Sequence, residues 1–203
     1  MKKKIIFASI LFVLITVSSQ FIFHMDIKRQ SYDSKIIAIS GKQRVYSQQI
    51  TKIALYANEV KDLYRYYIDL DSLSTIVDDF KQDNFYLKNI TSKNYKNDKT
   101  DALFKENQIY FRRMVEASNK TIDYPNDQEM FEEFVKGVKN NEAKFSSTMD
   151  ELVNEYQAIS EQKLRGFEKI LTLYSIVILI FLILLLWFII IPLYKKTKFI
   201  DSE

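Results

Sequence analysis

Two uncharged apolar stretches lie near the two ends of this 203-residue chain, and they restrict its possible folds more than any other feature. Ile5–Phe23 is 19 residues long and directly follows Lys2, Lys3 and Lys4. A helix of that length spans roughly 28 Å, enough to cross a bilayer. The competing reading is a cleaved signal peptide, with Val17-Ser18-Ser19 as a small-residue site. Apolar character resumes at Phe21-Ile22-Phe23, which favours a retained anchor. Tyr174–Leu193 is also free of charge, with Trp187 and Tyr194 placed as interfacial aromatics and Lys195, Lys196 and Lys198 following at once. By the positive-inside rule both termini are expected on the cytoplasmic side, in a two-pass membrane protein in contact with membrane lipid.

The expected layout follows from those spans. Residues 1–4 form a cytoplasmic N-terminus, 5–23 the first span, 24–169 an extracytoplasmic domain, 170–194 the second span and 195–203 a cytoplasmic stub. The net charge of +3 arises at the ends, which hold six lysines against Asp201 and Glu203. The middle is close to neutral, a poor surface for nucleic acid, so no nucleic-acid partner is expected. With no Cys, disulfides, thiolate metal sites and cysteine nucleophiles are excluded. A single His argues against a His-based metal site or a Ser-His pair. No cofactor or metal is implied, and an enzyme is the least favoured class.

Three Gly and two Pro are too few for a turn-rich β protein, and the middle region has helical periodicity. From Ile36, alternating steps of three and four collect Ile39, Gln43, Tyr46, Ile50, Ile53, Ala57, Val60, Tyr64 and Tyr67. No Gly or Pro lies between Met25 and Ser40, so this first helix is expected to continue out of the membrane for roughly 45 residues. Asp71-Ser72 is expected to cap a second helix carrying Leu73, Ile76, Val77, Phe80 and Leu87. Thr91–Lys99 is polar and is expected to be the membrane-distal loop. Thr100 is expected to cap a third helix with Leu103, Phe104, Tyr110, Phe111 and Met114. Pro125-Asn126-Asp127 marks the next turn, with Asn126 or Asp127 as cap. The last soluble helix carries Phe131, Phe134, Val138, Phe145, Met149, Leu152, Tyr156 and Ile159, with Gly137 and Asn140-Asn141 as a candidate break. The expected fold is all-α, an antiparallel four-helix bundle between two transmembrane helices.

Inside the first helix a second stripe runs beside the apolar one: Ile37, Ser40, Arg44, Ser47, Thr51 and Ala54. It places Arg44 between Ser40 and Ser47, with Gly41 one turn before it. Small neighbours let another helix approach while the guanidinium projects into the space they leave. Its planar fork of donors suits a flat oxyanion such as nitrate or a carboxylate. An arginine beside a heptad stripe is more ordinarily a solvated flank or half of an ion pair. Other charged groups are weaker candidates. Arg112-Arg113, Asp78-Asp79 and Glu132-Glu133 are expected on exposed faces, His24 at a membrane edge, and Tyr64-Arg65-Tyr66-Tyr67 in packing.

The run Ile36–Leu55, IIAISGKQRVYSQQITKIAL, resembles the first extracytoplasmic helix of NarX-type nitrate/nitrite sensor kinases and of PilJ-type chemotaxis transducers. The match falls on Ile37, Ser40, Gly41, Gln43, Arg44, Ser47, Gln48 and Lys52. Lys42, Val45, Tyr46 and Gln49 depart from the family's pattern, and Tyr46 is placed to narrow a pocket. The resemblance implies a four-helix sensor module that works as a homodimer, with one arginine per subunit in an anion site at the dimer interface. Carried over, the ligand-binding residues are Arg44, Gly41, Ser47 and Ser40.

The expected function is therefore the sensory module of a transmembrane signalling receptor in two-component or chemotaxis signalling. It would bind a small nitrate- or nitrite-like anion and pass a helix shift across the membrane. No effector such as a histidine kinase fits in LYKKTKFIDSE. The alternative is a non-sensing structural or accessory membrane protein whose helical ectodomain binds a partner protein.

Overall fold

A computed structural model describes residues 2–59 and 63–187, with side chains from 9–57 and 70–187. Val60, Pro192, Lys195, Lys196 and Lys198 lie outside the described residues, as do the side chains of Lys2–Lys4 and of the Tyr64–Tyr67 cluster. Among the described residues the fold is all-helical, with four helices: α1 (Lys2–Glu59), α2 (Leu63–Asn94), α3 (Asp98–Asp123) and α4 (Gln128–Leu185). It divides into two units, one of Met1–Tyr32 with Glu161–Glu203 and the other of Asp33–Ser160.

The first unit contains the apolar stretches. α1 and α4 are each long and apolar enough to cross a membrane, and no residue of their apolar windows is buried. Phe21, Leu173 and Trp187 stand 66, 64 and 65 % exposed. In water such a surface costs about 25 cal/mol per Å² of apolar area, which makes these two helices candidate membrane spans. Within this unit the Tyr174 hydroxyl donates to the Ile15 carbonyl at 2.7 Å. Arg29, paired with Asp26, lies 5.0 Å from the Phe167 ring centre.

The second unit buries the stripes that the periodicity picks out. Ile36, Ile39 and Ile50 of α1, Leu73, Val77, Phe80 and Leu87 of α2, and Phe104, Phe111 and Met114 of α3 are buried. From α4, Phe131, Phe134, Val138, Phe145, Met149, Leu152 and Tyr156 are buried too. Phe80 centres this core, with its ring centre 4.7 Å from that of Phe111 and 5.2 Å from that of Phe145. Gly137 and Asn140-Asn141 do not break α4. A Cβ built on Gly137 would come 2.8 Å from the Ala117 Cβ of α3, so this glycine marks a close approach of two helices.

Four boundaries differ from expectation. α1 is described to Glu59 and α2 from Leu63, so Tyr64 and Tyr67 belong to α2 although the three-four spacing from Ile36 includes both. Asp71-Ser72 caps nothing, because α2 has already begun at Leu63 and both residues are exposed on it. The cap of α3 is Asn97, whose side chain accepts from the Thr100 backbone N–H while the Thr100 hydroxyl accepts from the Asn97 N–H. Thr100 is thus the inner half of a capping box. α4 starts as expected, with Asp127 Oδ1 accepting from the backbone N–H groups of Glu129 and Met130.

The fourth correction is the Thr91–Lys99 loop. α2 runs on to Asn94, and only Tyr95–Asn97 separates it from α3. Tyr95 hydrogen-bonds Asp33 and packs edge-on against Tyr156, whose hydroxyl lies 2.5 Å from that of Thr91. Glu155 accepts from Asn97 at 3.1 Å and pairs with Lys99 at 2.6 Å. This connection therefore sits where the unit begins and ends, near Asp33 and Ser160, and not at its far end. The Lys99 ammonium hydrogen-bonded to Glu155 holds that carboxyl below its usual range, and Lys99 is raised in turn.

Candidate functional site

The α1 segment around Arg44 touches two neighbours, and its polar residues divide between them. Ser40 and Ser47 are fully buried. Ser40 donates to the Ile36 carbonyl at 2.9 Å and Ser47 to the Arg44 carbonyl at 2.8 Å, so both hydroxyl protons are committed to the helix's own backbone. Ser47 Oγ lies 3.4 Å from Ser146 Oγ of α4, and Ser146 donates to Glu142 at 2.8 Å. With one proton each, the two serines cannot serve these acceptors and each other at once.

Arg44 reaches across the same seam. Its Nη1 lies 2.5 Å from Asp150 Oδ1 of α4, with the two side chains 41 and 46 % exposed. Its Nε is enclosed yet has no hydrogen-bond partner. The ordinary reading of an arginine on this flank, half of an ion pair, thus describes Arg44 within a single chain. Among the described residues nothing lies within 4 Å of where a Cβ on Gly41 would stand. The structure therefore brings Ser47 and Arg44 to one seam with α4 and leaves Gly41 open beside it.

The stripe that faces outward is the adjacent one: Ala38, Val45, Gln48, Lys52 and Leu55 are exposed, with the half-buried Gly41 in register among them. Arg44 stands between this face and the α4 seam. Tyr46 turns the other way. Its hydroxyl approaches Asp83 of α2 at 3.4 Å and its ring lies edge-on to Phe80, so it does not narrow any space beside Arg44. Burial, followed by the nearby Asp83 and Asp79, raises its pKa.

The sequence reading missed a polar layer through the core. Gln43 donates to the Phe80 carbonyl at 3.2 Å and accepts from Asn84 at 3.4 Å, and Asn84 accepts from Gln108 at 2.9 Å. This chain links α1, α2 and α3. Asn107 donates to the Phe145 carbonyl at 3.0 Å and to Thr148 at 2.8 Å, linking α3 to α4, while its own carbonyl is buried without a partner. The signal was present: Gln43, Asn84 and Asn107 occupy stripe positions otherwise taken by apolar residues. Buried amides are tolerated when hydrogen-bonded, and they favour one alignment of neighbouring helices over slipped ones.

The remaining charged candidates are peripheral. Arg112, Arg113, Asp78, Asp79, Glu132 and Glu133 are exposed, with Lys81 pairing Asp78 and Lys120 pairing Glu133. Among the described residues no group of His, Asp and Glu could hold a metal ion.

Compared with known protein families, with described proteins and with solved structures, the chain matches none. Fold and site together define an all-helical protein with two helices long and apolar enough to cross a membrane.

Proposed function

We propose that this chain is the sensory part of a transmembrane receptor, two-pass in the bacterial inner membrane with both termini cytoplasmic. Residues 33–160 are read as an antiparallel four-helix bundle outside the membrane. What supports that arrangement is the pairing of Asp33 with Tyr95, Gln43 with Phe80 and Asn84, Asn107 with Phe145, and Arg44 with Asp150. Along each neighbouring pair the contacts run in opposite directions: from Asp33–Tyr95 to Gln43–Asn84, from Asn107–Phe145 to Thr121–Met130, and from Arg44–Asp150 to Ser47–Ser146.

In this reading two copies meet along the outward stripe Ala38, Gly41, Val45, Gln48, Lys52 and Leu55. A small planar oxyanion such as nitrate or nitrite is held between the two Arg44 side chains. The observation that carries the reading is Arg44 itself, half-exposed beside that stripe, next to a helical glycine beside which no described residue comes within 4 Å of a built Cβ. An anion shared by two guanidinium groups offsets their repulsion and favours one packing of the two α1 helices. It shifts that equilibrium only by its differential affinity for the two packings. α1 and α4 each contribute to both units, which makes them the elements through which the shift would pass.

Titration calorimetry of the full chain in lipid nanodiscs, with nitrate, nitrite and small carboxylates, tests the reading. Wild type is expected to give saturable heat with at least one anion, and Arg44→Ala to give none. Equal heats from the two would remove the anion role. The pairing of Arg44 with Asp150 favours the second reading, in which Arg44 is structural and the outward stripe docks a partner protein of an accessory membrane component.

A further inference from the structure

The contact that supports the second reading also changes how the first would work. Resting on the anion reading above, we infer that Asp150 is a competitor built into the site: it holds Arg44 against α4 in each copy, and an anion binds only by displacing it.

The geometry of the guanidinium carries the argument. Its Nη1 is taken by Asp150 at 2.5 Å, while Nε makes no hydrogen bond. The fork is half used, although bidentate engagement is what gives arginine its strength towards planar anions. Nε is also enclosed, so an external anion cannot take the Nε edge until the side chain turns, and turning draws Nη1 away from Asp150. An anion arriving without that movement would meet the Asp150 carboxylate beside a charge already neutralised.

The tie is also weak enough to release. Both partners are close to half exposed, and ion pairs in such positions contribute little net stability because water screens them. Close by, the Ser47–Ser146 contact lacks a free proton, so it adds no strong bond to this part of the seam. Displacing Asp150 therefore frees α1 from α4 at Arg44. Binding exchanges a contact between two helices of one chain for one between two chains, which makes Asp150 both the brake on affinity and the origin of the movement.

The test is calorimetry of the full chain in nanodiscs, with potassium nitrate and potassium nitrite at constant ionic strength. Asp150→Asn removes the competing charge and is expected to tighten anion binding by about two- to five-fold, the range a half-exposed pair can supply. Asp150→Glu keeps a carboxylate within reach of Arg44 and is expected to stay near wild type. Glu142→Gln changes the charge of the same helix at a residue bonded to Ser146, and is expected to have a smaller effect. Helix content by circular dichroism confirms that each variant is folded. Arg44-dependent binding that Asp150→Asn leaves unchanged or weakens overturns the competitor and spares the anion site. Equal tightening by Asp150→Asn and Glu142→Gln overturns it in favour of general electrostatics. No binding in wild type or in Asp150→Asn overturns both the competitor and the anion reading.

Discussion

Gly137→Ala and Gly41→Ala are the same chemical change on two helices, and the structure predicts opposite signs for them. In a helix interior Ala is favoured over Gly by about 0.8–1.0 kcal/mol, because glycine loses more backbone entropy. At Gly41 a Cβ meets nothing within 4 Å among the described residues, so in the dissociated single chain that gain is expected to appear in full. At Gly137 the new Cβ would stand 2.8 Å from the Ala117 Cβ, where ordinary contact begins at 3.4 Å, so α3 and α4 must separate by about 0.6 Å. The obstructing atom is not the end of a flexible side chain, and the movement has to come from backbone. Overpacking of this kind costs about 1–3 kcal/mol. The propensity gain is common to both variants, so the difference between them isolates the packing cost and should itself be about 1–3 kcal/mol. Thermal and urea unfolding followed by helical circular dichroism, in dilute detergent solution, measures both. Pairing Gly137→Ala with Ala117→Gly should recover the packing loss while adding only the propensity cost of a second glycine. A Gly137→Ala protein stabilised as much as Gly41→Ala would refute the close approach of α3 and α4.

Three further outcomes follow from particular contacts. Phe80→Ala removes the ring at the centre of a fully buried aromatic cluster and should destabilise by about 3–5 kcal/mol, read by urea unfolding. Asn97→Ala loses the capping box and the bond to Glu155 and should cost about 1–2 kcal/mol, whereas Ser72→Ala, exposed within α2, should be neutral or slightly stabilising. Burial pushes the Tyr156 phenol up to about 12 against an ordinary 10, the Thr91 hydrogen bond acting weakly the other way. The unfolded chain then ionises first, so stability should fall as pH climbs from about 10 towards 12, by up to about 3 kcal/mol. Tyr156→Phe should flatten that decline and remove a phenol titrating at about 12 from an ultraviolet titration.

Much of the fold was legible in the sequence because burial imposes a period. Ile36, Ile39, Gln43 and Ile50 recur at three-four spacing and all face the core, as do Phe131, Phe134, Val138, Phe145, Met149, Leu152 and Tyr156. The two apolar stretches were equally plain, since a long uncharged run has few ways to avoid water. The start of α4 was legible at Asp127 because a cap is a local device, settled within three residues.

What the tertiary structure alone decided was where each periodic run stops and what each polar group meets. The three-four spacing of α1 carries on to Tyr64 and Tyr67, so nothing in the pattern marked those two as belonging to a second helix. Asp71-Ser72 had the composition of a cap, but a helix already under way overrides it. Arg44 shows the distinction most clearly. Its neighbours in sequence placed it on the flank of an apolar stripe with small residues beside it, as found. Its partner, Asp150, lies on α4 far along the chain, brought near by the packing of Phe80, Phe111 and Phe145 and not by any local signal. Periodicity is a property of one helix and can be read from its own residues, whereas an ion pair between two helices depends on how the core aligns them.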